Sequence, residues 1–177
     1  GEYRWHLNYV TQVLGSDICY PHGSLSLMIL EDGPVLIADT HVHVFPSPEQ
    51  LAEIAIGAAR HARRFGLEPK VAFCSQSQFG NQGRDSGKRL RAAIRILDSA
   101  PRDFVYEGEM NVDAAFDADM RERLLPDNRL SGSANILVFS NSDAASGVRN
   151  ILKVTARGLE VGPILMGMGN RAHIATT

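Results

Sequence analysis

Several segments of this chain carry residue types whose spacing suits chemistry. In Asp39-Thr40-His41-Val42-His43 two imidazoles stand two residues apart, so in extended chain they point the same way, as a pair of metal ligands would. Downstream only His61 and His173 remain, and His61 falls in an apolar-striped helical segment. The metal set stays incomplete, no metal is expected, and the preferred reading is polar side chains leaving a strand beside Pro46. The run from Cys74 through Ser75, Ser77 and Gly80 to Gly83 passes from a strand into a Ser/Gly-rich loop before a helix. Such a loop can wrap phosphate with hydroxyls, backbone N–H groups and the positive end of the helix. It is not a P-loop, because Gln82 replaces the required glycine and Arg89 the Ser or Thr that must follow Lys88. Arg84, Lys88, Arg89 and Arg91 cluster here, as phosphate contacts or as a solvated helix face. Glu107 and Glu109 flank Gly108, with Asp113 beyond. Paired carboxylates suit acid–base work, but the preferred reading has one pairing with an arginine and another capping a helix near Asp113. Cys74 ends an apolar strand with no histidine at hand and reads as packing rather than a nucleophile. From Gly162 to Arg171 glycines flank a strand and Asn170-Arg171 follows, the pattern of a backbone-lined crevice.

The elements that must hold these residues follow from periodicity. Tyr9, Val10, Val13 and Leu14 recur at helical spacing before Gly15, predicting a first helix. Leu25, Leu27 and Ile29 alternate, Glu31-Asp32-Gly33-Pro34 turns, and Val35 to Ala38 returns, which is a β-hairpin. Ser47, Pro48 and Gln50 fit N-cap, N1 and N3 of a capping box, and the helix they start closes at Gly66. Then come a strand from Val71 to Cys74, a helix with Leu90, Ile94 and Leu97 on one face, and strands at Phe104 to Tyr106 and Ile136 to Phe139. A helix from Asp143 to Arg157 capped by Gly158 and a last strand from Pro163 to Met166 complete the pattern. The alternation predicts an α/β fold, a mainly parallel sheet flanked by helices with an antiparallel hairpin, whose ligand crevice lies at the carboxyl ends of the strands.

A length of 177 residues suits one domain. The 44% hydrophobic and 21% charged fractions are globular values, which excludes a disordered or coiled-coil chain. A net charge of −2 supplies no bulk attraction for nucleic acid or anionic lipid, so neither is expected as a partner. No apolar run reaches the ~18 residues of a membrane span. Two cysteines make no disulfide framework, and the cytoplasm is the expected location. The chain begins at Gly1 rather than Met, so it reads as a piece of something longer, one domain over residues 1–177 cut at both ends.

Taken in order, six blocks resemble the phosphate acetyl/butyryltransferase family. They are Ala38-Asp39-Thr40 with Val42-His43 and Pro46; Ser75-x-Ser77 with Phe79-Gly80-Asn81; Glu107-Gly108-Glu109-Met110 with Asp113-Ala114-Ala115; Ala134 to Phe139; Asp143-Ala144-Ala145; and Gly162 to Gly167. The resemblance is strongest to the acetyltransferase-like domain fused to bacterial NAD(P)-dependent malic enzymes. Working transacetylases usually have Asn where His43 stands and Ser-x-Ser-Thr-Lys-Gly where this chain reads Ser75-Gln76-Ser77-Gln78-Phe79-Gly80. They also carry a Ser-Arg pair, then an Asp, after the final strand, where Thr176 and Thr177 fall here. The resemblance implies a phosphotransacetylase-like fold of the isocitrate/isopropylmalate dehydrogenase type. It implies acyl-CoA or phosphate contacts at Ser75, Ser77, Gly80, Asn141, Asp143, Gly167, Asn170, Arg171 and Thr176, with no catalytic residue in this chain. It further implies acetyl-CoA as an effector, a homo-dimer or higher homo-oligomer, and a catalytic malic-enzyme part of the same chain that holds NAD(P) and Mg or Mn. An active phosphate acetyltransferase is the alternative.

Overall fold

The computed structural model describes residues 22–81 and 83–167; the helix expected before Gly15 lies outside them. The elements are β1 (Gly23–Leu30), β2 (Gly33–Ala38), α1 (Pro48–Arg64), β3 (Lys70–Cys74), α2 (Asp85–Asp98) and β4 (Val105–Met110), then α3 (Val112–Phe116), α4 (Ala118–Leu124), β5 (Ile136–Phe139), α5 (Ser142–Thr155) and β6 (Leu159–Met166). One six-stranded sheet has the order β4-β3-β5-β2-β1-β6. β3 is parallel to β4 and β5, β2 is parallel to β5, and β1 is antiparallel to both its neighbours, β2 and β6. β1 therefore runs alone against five strands that share a direction.

β5 shows why the sheet is a middle layer. Its four residues Ile136-Leu137-Val138-Phe139 are all buried, a continuous apolar run of the kind a strand needs when both faces are covered. Ile136 and Val138 join α1 and α2 in one cluster, while Leu137 and Phe139 join α3 and α5 in another, so alternation along one strand feeds two cores. α1 starts as its sequence requires: the Ser47 side chain accepts from the Gln50 N–H, the Gln50 side chain accepts from the Ser47 N–H, and Pro48 sits at N1.

Three boundaries differ from the sequence reading. β4 runs on to Met110 and takes Glu107 and Glu109 into the strand, because each carboxylate has an arginine partner, Arg129 and Arg91 respectively. β6 starts at Leu159, where backbone pairing with Ile29 holds the strand even though its first side chain is exposed. α5 stops at Thr155, and the left-handed residue after it is Arg157 (φ +49°) rather than Gly158. Gly158 is needed for another reason, since a Cβ there would lie 2.7 Å from Leu30 Cδ2.

The return from β4 to β5 depends on Arg121, a side chain with no exposed surface. It donates to the carbonyls of Ala114, Ala115, Leu130 and Gly132 and to Asn128 Oδ1, lacing α3, α4 and the following loop together. Among the described residues no helix is long and apolar enough to cross a membrane.

Candidate functional site

The chain leaves β3 into α2 on one face of the sheet and leaves the adjacent β5 into α5 on the other. Adjacent parallel strands whose connections part in this way open a crevice at their carboxyl ends. A cleft of about 310 Å³ lies there, lined by Cys74 and Ser75 after β3, Ser86 of α2, and Ser140, Asn141 and Ala144 at the start of α5, with Gln76 and Phe139 completing it. Asn141 caps α5, its Oδ1 accepting from the Ala144 N–H at 2.8 Å, and its amide donates to Ser140 Oγ at 3.3 Å. With the Gln76 amide oxygen turned toward α2, it accepts from Arg84 Nη1 at 2.9 Å, which places a guanidinium beside the cleft. α2 and α5 are each 14 residues long and begin at the cleft, so their free N–H groups and positive ends favour an anionic or carbonyl-bearing ligand. Burial pushes the Cys74 thiol well above its ordinary pKa, so it stays neutral and packs, as its sequence context predicts.

The loop after β3 is held from behind by Glu109, whose side chain is fully buried. Glu109 Oε1 accepts from Ser77 Oγ, from the Gly80 N–H at 3.2 Å and from Arg91 Nη1 at 2.7 Å. Ser77 in turn donates its N–H to Ser75 Oγ at 3.0 Å. Gly87 makes this possible: a Cβ there would sit 2.7 Å from Ser77 Oγ and 3.0 Å from Glu109 Oε1. Glu109 is thus a scaffold group that fixes the Ser75 hydroxyl at the cleft wall.

The loop after β2 is organised the same way by Asp39, which is 2% exposed. Its Oδ1 accepts from Ser24 N–H (2.9 Å), Ser24 Oγ (2.6 Å) and the N–H groups of His41 and Val42 (3.1 Å each), and its Oδ2 from the His43 N–H (2.7 Å). His41 is lowered from the ordinary imidazole pKa by burial, with the Arg149 charge adding to the effect. Its Nε2 accepts from Arg149 Nη1 at 3.3 Å, and Nδ1 lies 2.9 Å from Thr40 Oγ1. Both ring nitrogens are engaged by protein. Among the described residues no three His, Cys, Asp or Glu side chains group as a metal site.

The structure brings Ser75 and Asn141 together on the cleft and places Ser77, Gly80, Asp143 and Gly167 elsewhere. Ser77 and Gly80 lie behind it, on Glu109. Asp143 is exposed in the first turn of α5. Gly167 follows β6 and lines a separate groove of about 410 Å³ with Glu53, Arg60 and Arg64 of α1. Asn170, Arg171 and Thr176 lie outside the described residues. The arginine cluster divides: Arg91 serves Glu109, Arg84 meets Gln76, Arg89 Nη1 donates to the Pro46 carbonyl at 2.7 Å, and Lys88 lies 3.6 Å from Asp85. Sequence reasoning missed Ser86 and Ser140 as lining residues; the one signal for them is that each polar residue stands at a strand end or in the first turn of a helix facing the switch point.

Fold and cleft together define an α/β protein with a post-strand binding crevice, the phosphotransacetylase architecture. The model of the phosphate acetyl/butaryl transferase family matches residues 2–177, and the chain belongs to that family. It is 42% identical over 179 residues to the NADP-dependent malic enzyme of Salmonella typhimurium, an alignment that spans 99% of this chain and 24% of that protein. It is 33% identical over 146 residues to the phosphate acetyltransferase of Nitratidesulfovibrio vulgaris, across 82% of this chain and 21% of that one. The chain therefore spans about a quarter of the length of these curated relatives. Among solved structures, the EutD phosphotransacetylase from Staphylococcus aureus superposes with a TM-score of 0.78 at 26% identity, covering 88% of this chain and 48% of that one.

Proposed function

We propose that this chain is the acyl-CoA-sensing domain of a malic enzyme, binding acetyl-CoA in the cleft between β3 and β5 without transferring its acyl group. The observation that carries the reading is the lining of that cleft. It offers hydroxyls, amides and two helix starts for binding, yet among the described residues on it Cys74 is the one titratable group, and burial keeps that thiol neutral. A nucleophile needs an adjacent base, and the buried carboxylate of Glu109 lies behind the loop rather than on the cleft wall, its Oε1 holding Arg91, Ser77 and Gly80. The parent enzyme would oxidise and decarboxylate malate with NAD(P) and Mg or Mn held in its other part, a reading supported by the identity to malic enzymes. Acetyl-CoA, formed downstream of pyruvate, is then the sensible feedback signal. Self-association is part of the same reading: Ile151 and Val154 on α5 are 56% and 77% exposed, apolar surface that a second copy can cover.

A second reading, phosphate acetyl transfer, draws on the identity to phosphate acetyltransferases. Calorimetric titration of acetyl-CoA into the 177-residue chain, beside an assay for acetyl-phosphate-dependent formation of acetyl-CoA, separates the two. Binding heat without turnover is expected; turnover would transfer the case to the second reading, and absence of both would end the first.

A further inference from the structure

Five side chains from four parts of the fold close a ring of hydrogen bonds. Arg149 of α5 donates from Nη1 to Glu160 Oε1 of β6 at 3.2 Å and to His41 Nε2 at 3.3 Å. His41 Nδ1 lies 2.9 Å from Thr40 Oγ1, Thr40 Oγ1 lies 3.3 Å from Ser26 Oγ of β1, and Ser26 Oγ donates to Glu160 Oε1 at 3.3 Å. Hydrogen counting fixes the direction of each bond. A guanidinium only donates, so Nε2 accepts and the neutral imidazole carries its proton on Nδ1, from which it donates to Thr40. Ser26 gives its one proton to Glu160 and therefore accepts from Thr40. The ring matters because α5 is held lightly by packing. Of its 14 residues Ala145 is the buried one, with Val148 and Leu152 packed in part against the core. Its first residue is also tied to the loop that carries His41, the Ser142 N–H donating to the Val44 carbonyl at 3.2 Å. Asn141 and Ala144, at the start of this helix, form a wall of the cleft.

We infer that this ring is a proton-operated latch: protonation of His41 opens it at Arg149 and loosens α5, and with α5 one wall of the cleft, so that acid weakens acyl-CoA binding. The last step rests on the cleft being the acyl-CoA site; the opening of the latch does not. An imidazolium carries hydrogens on both nitrogens, so protonation sets an Nε2–H against the Arg149 guanidinium and replaces a hydrogen bond with two facing positive charges. The charged groups around His41 are Arg149 from α5, Glu160 from β6 and Asp39 from its own loop, and Lys153 of α5 lines the same pocket of about 430 Å³. β1 contributes the hydroxyls of Ser24 and Ser26, which reach His41 through Thr40. The two carboxylates favour a charged ring, but Glu160 is shared by Arg149 and Lys153, and Asp39 already gathers five donors. Burial and the Arg149 charge prevail and hold the imidazole below its ordinary pKa. The latch is therefore closed above the ordinary imidazole value, and its contribution is lost as the pH falls from that value through the lowered one.

The test follows the free chain in steps from pH 7.5 to pH 4.5, reading the His41 ring by NMR and amide protection along α5 by hydrogen exchange, at a fixed oligomeric state checked by sedimentation. Wild type is compared with His41→Gln, whose amide oxygen can accept from Arg149 but takes no proton, and with Arg149→Met. In wild type, α5 protection is expected to fall about three- to tenfold, the worth of one hydrogen bond, with a midpoint that tracks His41, while α1 keeps its protection. His41→Gln should stay flat. Arg149→Met should be loosened at pH 7.5 already, with the His41 midpoint moved up toward the ordinary value. Calorimetric titration of acetyl-CoA over the same pH range should show at least a threefold larger acid loss in wild type than in His41→Gln, which controls for titration of the ligand's own 3′-phosphate. A His41 ring that stays neutral to pH 4.5, or one that titrates while α5 protection holds, overturns the latch. An equal acid loss of α5 protection in His41→Gln overturns it too, because another group is then responsible. Acid losses of acetyl-CoA affinity that match in the two proteins, with α5 loosened only in wild type, overturn the link to the cleft. No acetyl-CoA binding at any pH overturns the sensor reading, and the latch is still decided by exchange in the free chain.

Discussion

The loops after β2 and β3 solve one problem in two ways. Each leaves the carboxyl end of a strand and is organised by one buried carboxylate, Asp39 in the first case and Glu109 in the second. Asp39 uses both oxygens and gathers five donors, none of them from a cation. Glu109 gathers three donors on a single oxygen, one of them the Arg91 guanidinium, and its Oε2 has no partner among the described residues. A charge compensated by dipoles alone must be surrounded closely, which ties the backbone of the Asp39 loop to the carboxylate as far as His43. A charge compensated by an arginine needs fewer backbone donors, which leaves most amides of the Ser75–Gly80 loop uncommitted to it. Asp39 and Glu109 are therefore the scaffolding of two loops that present other groups.

The largest effect should come from Asp39→Ala. It strands the Ser24 N–H in a site with no solvent access, leaves the Ser24 hydroxyl only its Thr40 partner, and removes the charge-assisted bonds to the N–H groups of His41, Val42 and His43, together a cost of about 3–5 kcal/mol, read as the shift in urea midpoint. Glu109→Ala should cost about 3 kcal/mol, at the low end for a broken buried pair because the Arg91 side chain is 27% exposed and water can reach it. Equal losses for the two variants would remove the distinction between dipole and cation compensation. Gly87→Ala sharpens the second case: the new methyl group presses on Ser77 and Glu109, and overpacking of about 1–3 kcal/mol is partly offset by a gain of about 1 kcal/mol in helix propensity. Acetyl-CoA affinity should fall with it, because Ser75 loses its support.

The smallest effect belongs to a third carboxylate, Glu160 on β6, which Arg149 and Lys153 contact at 3.2 and 3.1 Å. Burial by itself would raise its pKa, but the Lys153 hydrogen bond and the charges of Arg149 and Lys153 outweigh it and hold the carboxyl below the ordinary range. A folded-state pKa below the unfolded one stabilises the protein at neutral pH, and that contribution is lost as the pH falls from the ordinary carboxylate value through the lowered one. Denaturant midpoints measured from pH 7 down to pH 3 should therefore show a shallower acid decline for Glu160→Gln than for wild type.

Local rules made much of this fold legible. The Ser47 capping box, the hairpin turn at Glu31 to Pro34 and the apolar run of β5 each carry their reason within a few residues. What escaped was set by partners distant in sequence. For Glu107 and Glu109 the spacing predicts an arginine partner for one and a helix cap near Asp113 for another; the structure gives both an arginine, Arg129 and Arg91, and Asn111 holds the N-cap position of α3. Arg121 has nothing in its neighbourhood to mark it as the most deeply buried cation described. At the site, Ser75 and Ser77 share one motif, yet a carboxylate 32 residues from Ser77 turns it inward while Ser75 stays at the cleft. Asn141 was recoverable because an Asn directly after a buried strand and before a helix is both a cap and a crevice residue.

Amide hydrogen exchange with and without saturating acetyl-CoA tests the central claim most directly, because it locates a ligand without assuming which side chains hold it. The amides of Ser75–Gly80 and Asn141–Ala145 should exchange more slowly in the complex, while the turn from Glu31 to Gly33 at the opposite end of the strands stays unchanged. Protection confined to that turn, or to α1 beside Arg60 and Arg64, with the cleft amides unaffected, would contradict the account.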